Sequence, residues 1–445
     1  MKPLGILLNA LFIAVFPCWG GWFRLTDFYG HATGPGTALA GGRCLEPASP
    51  SPDATTMVWL LHGKDSEAIN YFQRWYGPSP NPGSWARRQN LPWEDPRRDK
   101  VDWGGSLVYV PDPTSQAGCR LFAFTGHHTS HFWEYDPYND TWMRRADVPV
   151  PVGEGGSLCY GGIWEFNTVP YAFIYAFVGD GSPRFFRYAY PCIPELKGVP
   201  TPLSGWTELA PLPAPVEAGG CLAWLPLPGD LQHPRGIVVA MRGDNTIGLY
   251  FYDPVHNSWS WKWLDLPAIK GGAAIAPCAD GWRVRFWTGR DDDKRFFVYK
   301  YGTTIAGNAQ PTPLVPNYGA ALCQVGDTFY AQFGRGNECQ FWGFYQSNSE
   351  KEPNGGQTAS TTKFRPSVYL TRSPSECRFS VDCPPGLVKL LIMNPAGVVI
   401  ARLEKSTTQN GCELIWHHAD VPAGVYFYHL KTPVGEVGGK LTILR

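Results

Sequence analysis

Gly104-Gly105-Ser106-Leu107-Val108-Tyr109 opens a phrase that continues through Leu121-Phe122-Ala123-Phe124-Thr125-Gly126 and Phe132-Trp133-Glu134-Tyr135-Asp136-Pro137 to Thr141-Trp142. Its parts are a glycine-led start, an apolar run ending in glycine, an aromatic strand, and a tryptophan strand that stops near Val148-Pro149. Short apolar and aromatic runs punctuated by Gly, Pro and Asp are the pattern of strands joined by tight turns. The phrase recurs along the chain. Its starts fall at Gly41-Gly42, Gly104-Gly105, Gly155-Gly156, Gly219-Gly220, Gly271-Gly272 and Tyr318-Gly319. The glycines that end the second run are Gly63, Gly126, Gly179, Gly243, Gly289 and Gly334. A period of roughly 45 to 64 residues signals an array of like supersecondary units, each too small to bury its apolar faces alone.

The third strand of each unit reads Tyr71 to Trp75, Phe132 to Tyr135, Phe185 to Tyr188, Tyr250 to Tyr252, Phe296 to Tyr299 and Phe341 to Tyr345. The fourth starts at Trp85, Trp142, Trp206 and Trp259, is blurred in the fifth unit, and is missing after the sixth. Gly21-Trp22-Phe23-Arg24-Leu25 has the pattern of Gly205-Trp206-Thr207-Glu208-Leu209. An unpaired edge strand is a template for aggregation, so residues 21–28 are expected to supply the missing outer strand and join the last unit to the first.

Tyr135-Asp136-Pro137 with Trp142, Tyr252-Asp253-Pro254 with Trp259, and the glycine after each second strand carry a resemblance to the kelch family of β-propellers. The resemblance covers residues 21–346. It departs at the second strand, which ends in one glycine where kelch repeats usually have two. It implies an all-β chain whose first domain is a six-bladed, kelch-like β-propeller, closed by the N-terminal strand.

Composition agrees with an all-β class: of 445 residues, 50 are Gly and 42 Pro, and 14% are aromatic. The net charge is zero and no basic stripe is visible, so nucleic acid is an unexpected partner. Residues 1–20 read as an export signal: Lys2 is followed by the apolar run Leu4 to Phe16, which is too short to span a bilayer. No transmembrane span is expected once that signal is removed. Export means an oxidising compartment. Cys44, Cys159, Cys221 and Cys323 nevertheless fall on first strands, near the axis of a propeller, and are expected as buried thiols that fill space. Of Cys377, Cys383 and Cys412, one pair can bridge, and the sequence leaves open which.

Residues 347–366 are rich in Ser, Thr, Gly and Asn and read as a linker. Beyond them the repeat stops. The strand patterns Leu387 to Met393, Val398 to Leu403, Gly424 to Leu430 and Gly439 to Leu444 suggest a small β-sandwich. The turn at Ala396-Gly397 before Val398-Val399, the phrase Ala423-Gly424-Val425-Tyr426-Phe427 and the terminal Gly439-Lys440-Leu441 resemble the C-terminal sorting domain of type IX secretion cargo and related immunoglobulin-like modules. The usual Pro-Asn-Pro opening is replaced by Arg372-Ser373-Pro374-Ser375. The resemblance implies an immunoglobulin-like sandwich over 367–445, with the type IX secretion machinery as partner. It also implies a chain that is secreted or attached at the cell surface.

In antiparallel four-stranded units, the start of the first strand and the turn between the second and third lie on one face. The residues after each repeated glycine therefore share a rim. Candidate ligand-binding residues there are Lys64, Asp65, His127, His128, Asp180, Arg242, Asp244, Arg290, Asp291 and Arg335. Exposed turns use the same residue types. No nucleophile elbow, zinc-protease helix motif or phosphate loop is present, and no zinc-ligand spacing appears, so neither catalytic residues nor a metal or other cofactor are assigned. His127 and His128 are adjacent and make a poor chelating pair for the copper of kelch-type oxidases. Asp291-Asp292-Asp293 lacks a calcium loop. The expectation is a propeller that binds a protein or glycan. A carbohydrate-active enzyme of sialic acid mutarotase or glycosidase type, using rim Arg and Asp residues, is the alternative, and a structural surface-layer component is a third.

Overall fold

The computed structural model describes residues 21–29, 33–45, 55–63, 70–77, 83–92, 100–193, 203–264, 266–289, 293–303, 310–334, 339–345, 367–372, 376–382, 386–394, 399–407, 412–432 and 435–443. The expected export signal (1–20) and linker (347–366) lie outside the described residues. The chain divides into two compact units, Met1–Asn354 and Gly355–Arg445. No helix among the described residues is long and apolar enough to cross a membrane.

The described residues of the first unit form six four-stranded antiparallel sheets. Five are runs of four consecutive strands. The first comprises Ala38–Cys44, Thr55–Leu61, Phe72–Tyr76 and Ser84–Arg87. The second, third and fourth begin at Ser106–Pro111, Ser157–Phe166 and Gly220–Leu225, and the fifth at Ala274–Pro277. The fifth ends in a two-residue strand, Gln310–Pro311, which is why its fourth strand is blurred in sequence. The sixth sheet departs from chain order. Ala320–Val325, Thr328–Phe333 and Trp342–Tyr345 are completed by Gly21–Arg24, with Trp22 opposite Phe344 and Arg24 opposite Trp342. Each innermost strand packs against that of the next sheet, and the sixth packs on the first, so the cycle closes. The unit is thus all-β and propeller-like.

Aromatic residues join one sheet to the next. Phe72 of the first sheet meets Tyr135 and Trp142 of the second at ring centroids 4.8 and 4.9 Å apart. Phe132 meets Tyr188 and Trp206 at 4.9 and 4.8 Å, and Phe185 meets Tyr252 and Trp259, each at 4.9 Å. The outer-strand indoles also donate backward: Trp142 Nε1 to Gln89 O (2.8 Å), Trp206 to Ala146 O (2.9 Å) and Trp259 to Ala210 O (2.9 Å). At the closure, Trp22 takes the same place, 5.1 Å from both Phe296 of the fifth sheet and Phe344 of its own. Offset and edge-on aromatic pairs of this kind add to what their buried area supplies.

Glycines fix the axial register. Gly36, Gly104, Gly155, Gly219, Gly272 and Gly319 all have φ between +79° and +92°, and each Cα abuts the backbone at Asp102, Gly153, Glu217, Lys270, Asn317 and Gly34 respectively. Each contact points to the next sheet, and the last returns to the first. A side chain there meets both a left-handed backbone and a neighbouring carbonyl. This corrects the register of the first unit. Its ring glycine is Gly36, whereas Gly41-Gly42 lies within the inner strand, packed on Val325 and on the Tyr109 ring. Cys44 is also corrected. It ends that inner strand and forms a disulfide with Cys119, the first residue of the strand Cys119–Phe124 in the second sheet. Cys159, Cys221 and Cys323 are buried thiols as expected, and burial pushes their ionisation well above the ordinary thiol range.

In the second unit, Ser367–Arg372, Glu376–Asp382 and Cys412–His417 form one sheet, and Val399–Thr407, Gly386–Met393, Gly424–Thr432 and Gly435–Ile443 form another. Burial alternates along the strands: Val388 and Leu390 are buried while Leu387 and Lys389 are exposed, the period of a half-buried strand. Phe379, Leu414 and Trp416 of the first sheet share one core with Leu390, Ile392, Tyr428 and Leu430 of the second.

Candidate functional site

The six repeated glycines Gly63, Gly126, Gly179, Gly243, Gly289 and Gly334 each stand against the turn that precedes the inner strand of their own sheet. The residues that follow them enter left-handed conformations: φ is +53° at His127, +58° at His128, +58° at Asp180 and +52° at Asp244. This lets each turn clamp two sheets. His127, Asp180 and Asp244 donate their N–H to Trp103, Glu154 and Ala218 of their own sheet at 2.9, 2.7 and 3.3 Å. His128, Gly181 and Asn245 donate to Val152, Val216 and Ile269 of the next at 2.9, 3.0 and 2.9 Å.

Of the rim residues expected from sequence, Lys64, Asp65, Arg290, Asp291 and Arg335 lie outside the described residues. The others form pairs. His127 Nδ1 is 3.2 Å from Oδ2 of the buried Asp102, and His128 Nδ1 is 3.0 Å from Asp180 Oδ2. The two rings therefore attach to different carboxylates. Arg242 Nη1 donates to Pro215 O at 3.1 Å and lies 3.5 Å from Asp244 Oδ2. This engages Nη1 of its guanidinium locally.

Two acidic residues complete this rim, and both precede a ring glycine. They are Glu154, next to Gly155, and Glu217, two residues before Gly219. Glu217 Oε1 lies over Gly181, where a Cβ would stand 3.1 Å from it. Asp180 folds against Gly153, where a Cβ would stand 2.8 Å from its Cγ. Glu154 feels both groups. Partial burial, then the charges of Glu217 and Asp180, hold its carboxyl above the usual carboxylate range. On the same rim, Trp103 of the second sheet and Tyr318 of the sixth meet edge to face at 5.1 Å. A carboxyl raised above its usual range beside other carboxylates is an arrangement for general acid and base work. Among the described residues, no group of three or more His, Cys, Asp or Glu side chains is placed to hold a metal ion.

No family model matches the chain, and no curated protein matches it. Solved structures of low identity do. The α-L-arabinofuranosidase Arb93A of Fusarium graminearum, in complex with an iminosugar inhibitor, is 11% identical over 74% of this chain and 99% of its own, with TM-score 0.48. The Penicillium chrysogenum α-L-arabinanase complexed with arabinobiose is 11% identical over 73% of this chain and 99% of its own, with TM-score 0.46. A fungal alcohol oxidase of the AA5 family in complex with copper is 11% identical over 96% of this chain and 99% of its own, with TM-score 0.37. Likeness at this level leaves the chemistry of the site to the residues of this chain.

Proposed function

We propose that the first unit is a six-bladed kelch-like propeller and a carbohydrate-active protein, with its glycan site on the glycine-turn rim. This favours the enzymatic alternative over a purely binding role. The observation that carries it is Glu154, whose carboxyl is held above its usual range beside Asp180 and Glu217. In this reading Glu154 is the general acid that protonates a leaving glycosidic oxygen, and Glu217 is the second carboxyl group, which assists attack from the other side of the sugar. Asp180, 3.0 Å from His128, adds negative charge that, after burial and Glu217, raises the Glu154 carboxyl. Trp103 and Tyr318 supply aromatic surface for a sugar ring.

The test is hydrolysis of a panel of aryl glycosides and oligosaccharides. One or more should turn over, and Glu154→Gln should lower kcat by about 10²-fold or more while binding persists. Binding of the same sugars with no turnover at any pH would reduce the site to a lectin. Absence of both would remove the reading.

The remaining organisation belongs to the same proposal. Residues 1–20 are an export signal, residues 347–366 a linker, and residues 367–445 an immunoglobulin-like domain that addresses the chain to the type IX machinery for secretion or surface attachment. The disulfide between Cys44 and Cys119 supports passage through an oxidising compartment. The two-sheet core of the second unit supports a sandwich.

A further inference from the structure

The axial cavity of the first unit has a chemistry distinct from the acidic rim. It encloses about 590 Å³ and is lined by the inner strands of all six sheets. Its walls are unequal. Five positions past the ring glycines, consecutive sheets present Tyr109, Tyr160 and Trp224, whereas the first and fifth present Gly41 and Pro277. The aromatic side is fixed. Tyr160 and Trp224 meet edge to face at 5.7 Å, Trp224 Nε1 donates to Arg235 O at 3.3 Å, and Tyr109 donates its hydroxyl to Arg43 O at 2.8 Å.

The polar groups of the lining are few. Among the described residues of the lining there is no Asp, Glu, Lys or His, and Arg43 is the single full charge. Among the described residues, neither the Arg43 guanidinium nor the Tyr160 hydroxyl has a hydrogen-bond partner. Burial pushes the Tyr160 phenol far above its ordinary range, so it stays a neutral donor. A guanidinium and a phenol without partners among the described residues, with an aromatic wall around the same cavity, select a ligand with three properties. It carries a carboxylate for the guanidinium fork, a ring with C–H faces for the aromatic wall, and hydroxyls for the phenol.

The geometry points to a second binding site at this end of the axial cavity, for a sugar of the uronic-acid class. It is independent of the acidic rim and of the hydrolytic reading. The full-length protein is titrated calorimetrically with digalacturonate, with the neutral disaccharide of galactose, and with benzoate. Digalacturonate should bind and the neutral disaccharide should bind at least tenfold more weakly. Arg43→Ala should weaken digalacturonate at least tenfold and Tyr160→Phe a few-fold, with unchanged melting temperatures because Arg43 is exposed. Arg43→Lys, which keeps the charge and loses the fork, should fall between. The inference is overturned if digalacturonate fails to bind, if the neutral disaccharide or benzoate binds as tightly, or if Arg43→Ala has no effect.

Discussion

Replacing Trp22 by Ala probes the closure of the ring, because Trp22 belongs to the one strand that arrives from the far end of the sequence. The indole stands 5.1 Å from Phe296, 5.5 Å from Phe333 and 5.1 Å from Phe344, so it touches both the fifth and the sixth sheets. Truncating a buried Trp costs about 3 to 5 kcal/mol, and a half-buried one falls at the lower end, about 3 kcal/mol. Unfolding entropy of about 2.1 cal/mol/K per residue gives roughly 0.7 kcal/mol/K for a unit of this size, hence a drop of about 4 °C in melting temperature. Trp261 is the internal control. It also lies on an outer strand, Ser258–Lys262, but is 60% exposed, and its loss should cost no more than about 0.5 kcal/mol. Differential scanning calorimetry of both variants reads the difference. Deleting residues 21–28 should do more, since it bares the strand Trp342–Tyr345 as an edge and should add aggregation on heating. Equal melting temperatures for Trp22→Ala and Trp261→Ala would refute closure by the N-terminal strand.

Three further outcomes follow from the same structure. Replacing Cys44 and Cys119 together by Ala removes a cross-link between residues 75 apart; the chain-entropy estimate for such a loop is about 4.5 kcal/mol, and denaturant unfolding of the double variant should show a loss of about 2 to 4.5 kcal/mol. Gly155→Ala, at φ +89° against the Glu217 carbonyl, should lower the denaturation midpoint far more than Gly118→Ala, at φ +70° with open space around it, where the backbone cost alone is about 1 kcal/mol. Glu154 has a raised carboxyl in the fold, so the folded chain holds a proton the unfolded chain has lost, and stability falls as pH rises from about 4.3 through the folded value. Glu154→Gln should therefore match the parent below about pH 4 and melt higher at neutral pH, and an unchanged or lower melting temperature at neutral pH would contradict the environment described for this carboxyl.

Much of this architecture was legible because the signals are local. Aromatic strands, the glycine after each second strand, and the likeness of Gly21-Trp22-Phe23-Arg24 to an outer strand depend only on neighbours in sequence, and the sheets form where these patterns lie. The first unit misled because Gly41-Gly42 imitates the ring pair, whereas the residue at the ring is Gly36, followed by Thr37. That slip of five residues also concealed the disulfide. With Gly36 in register, Cys44 falls at the end of an inner strand, beside the second strand of the next sheet where Cys119 begins. The acidic site was missed for a similar reason. The residues after the repeated glycines pair locally, as His128 does with Asp180. Glu154 and Glu217 precede the ring glycines, and their approach depends on how the third and fourth sheets meet. The signal available was an acidic residue one or two positions before a glycine pair, and only packing gives it meaning.

Glycan-array binding by the purified protein, repeated with a variant carrying Glu154→Gln and Glu217→Gln, tests the carbohydrate reading most directly. Selective binding to a defined set of glycans, kept by the variant while hydrolysis of those glycans falls by at least about 10²-fold, is the predicted result. A clean negative for the parent, or hydrolysis of the bound glycans unchanged by both substitutions, would contradict it.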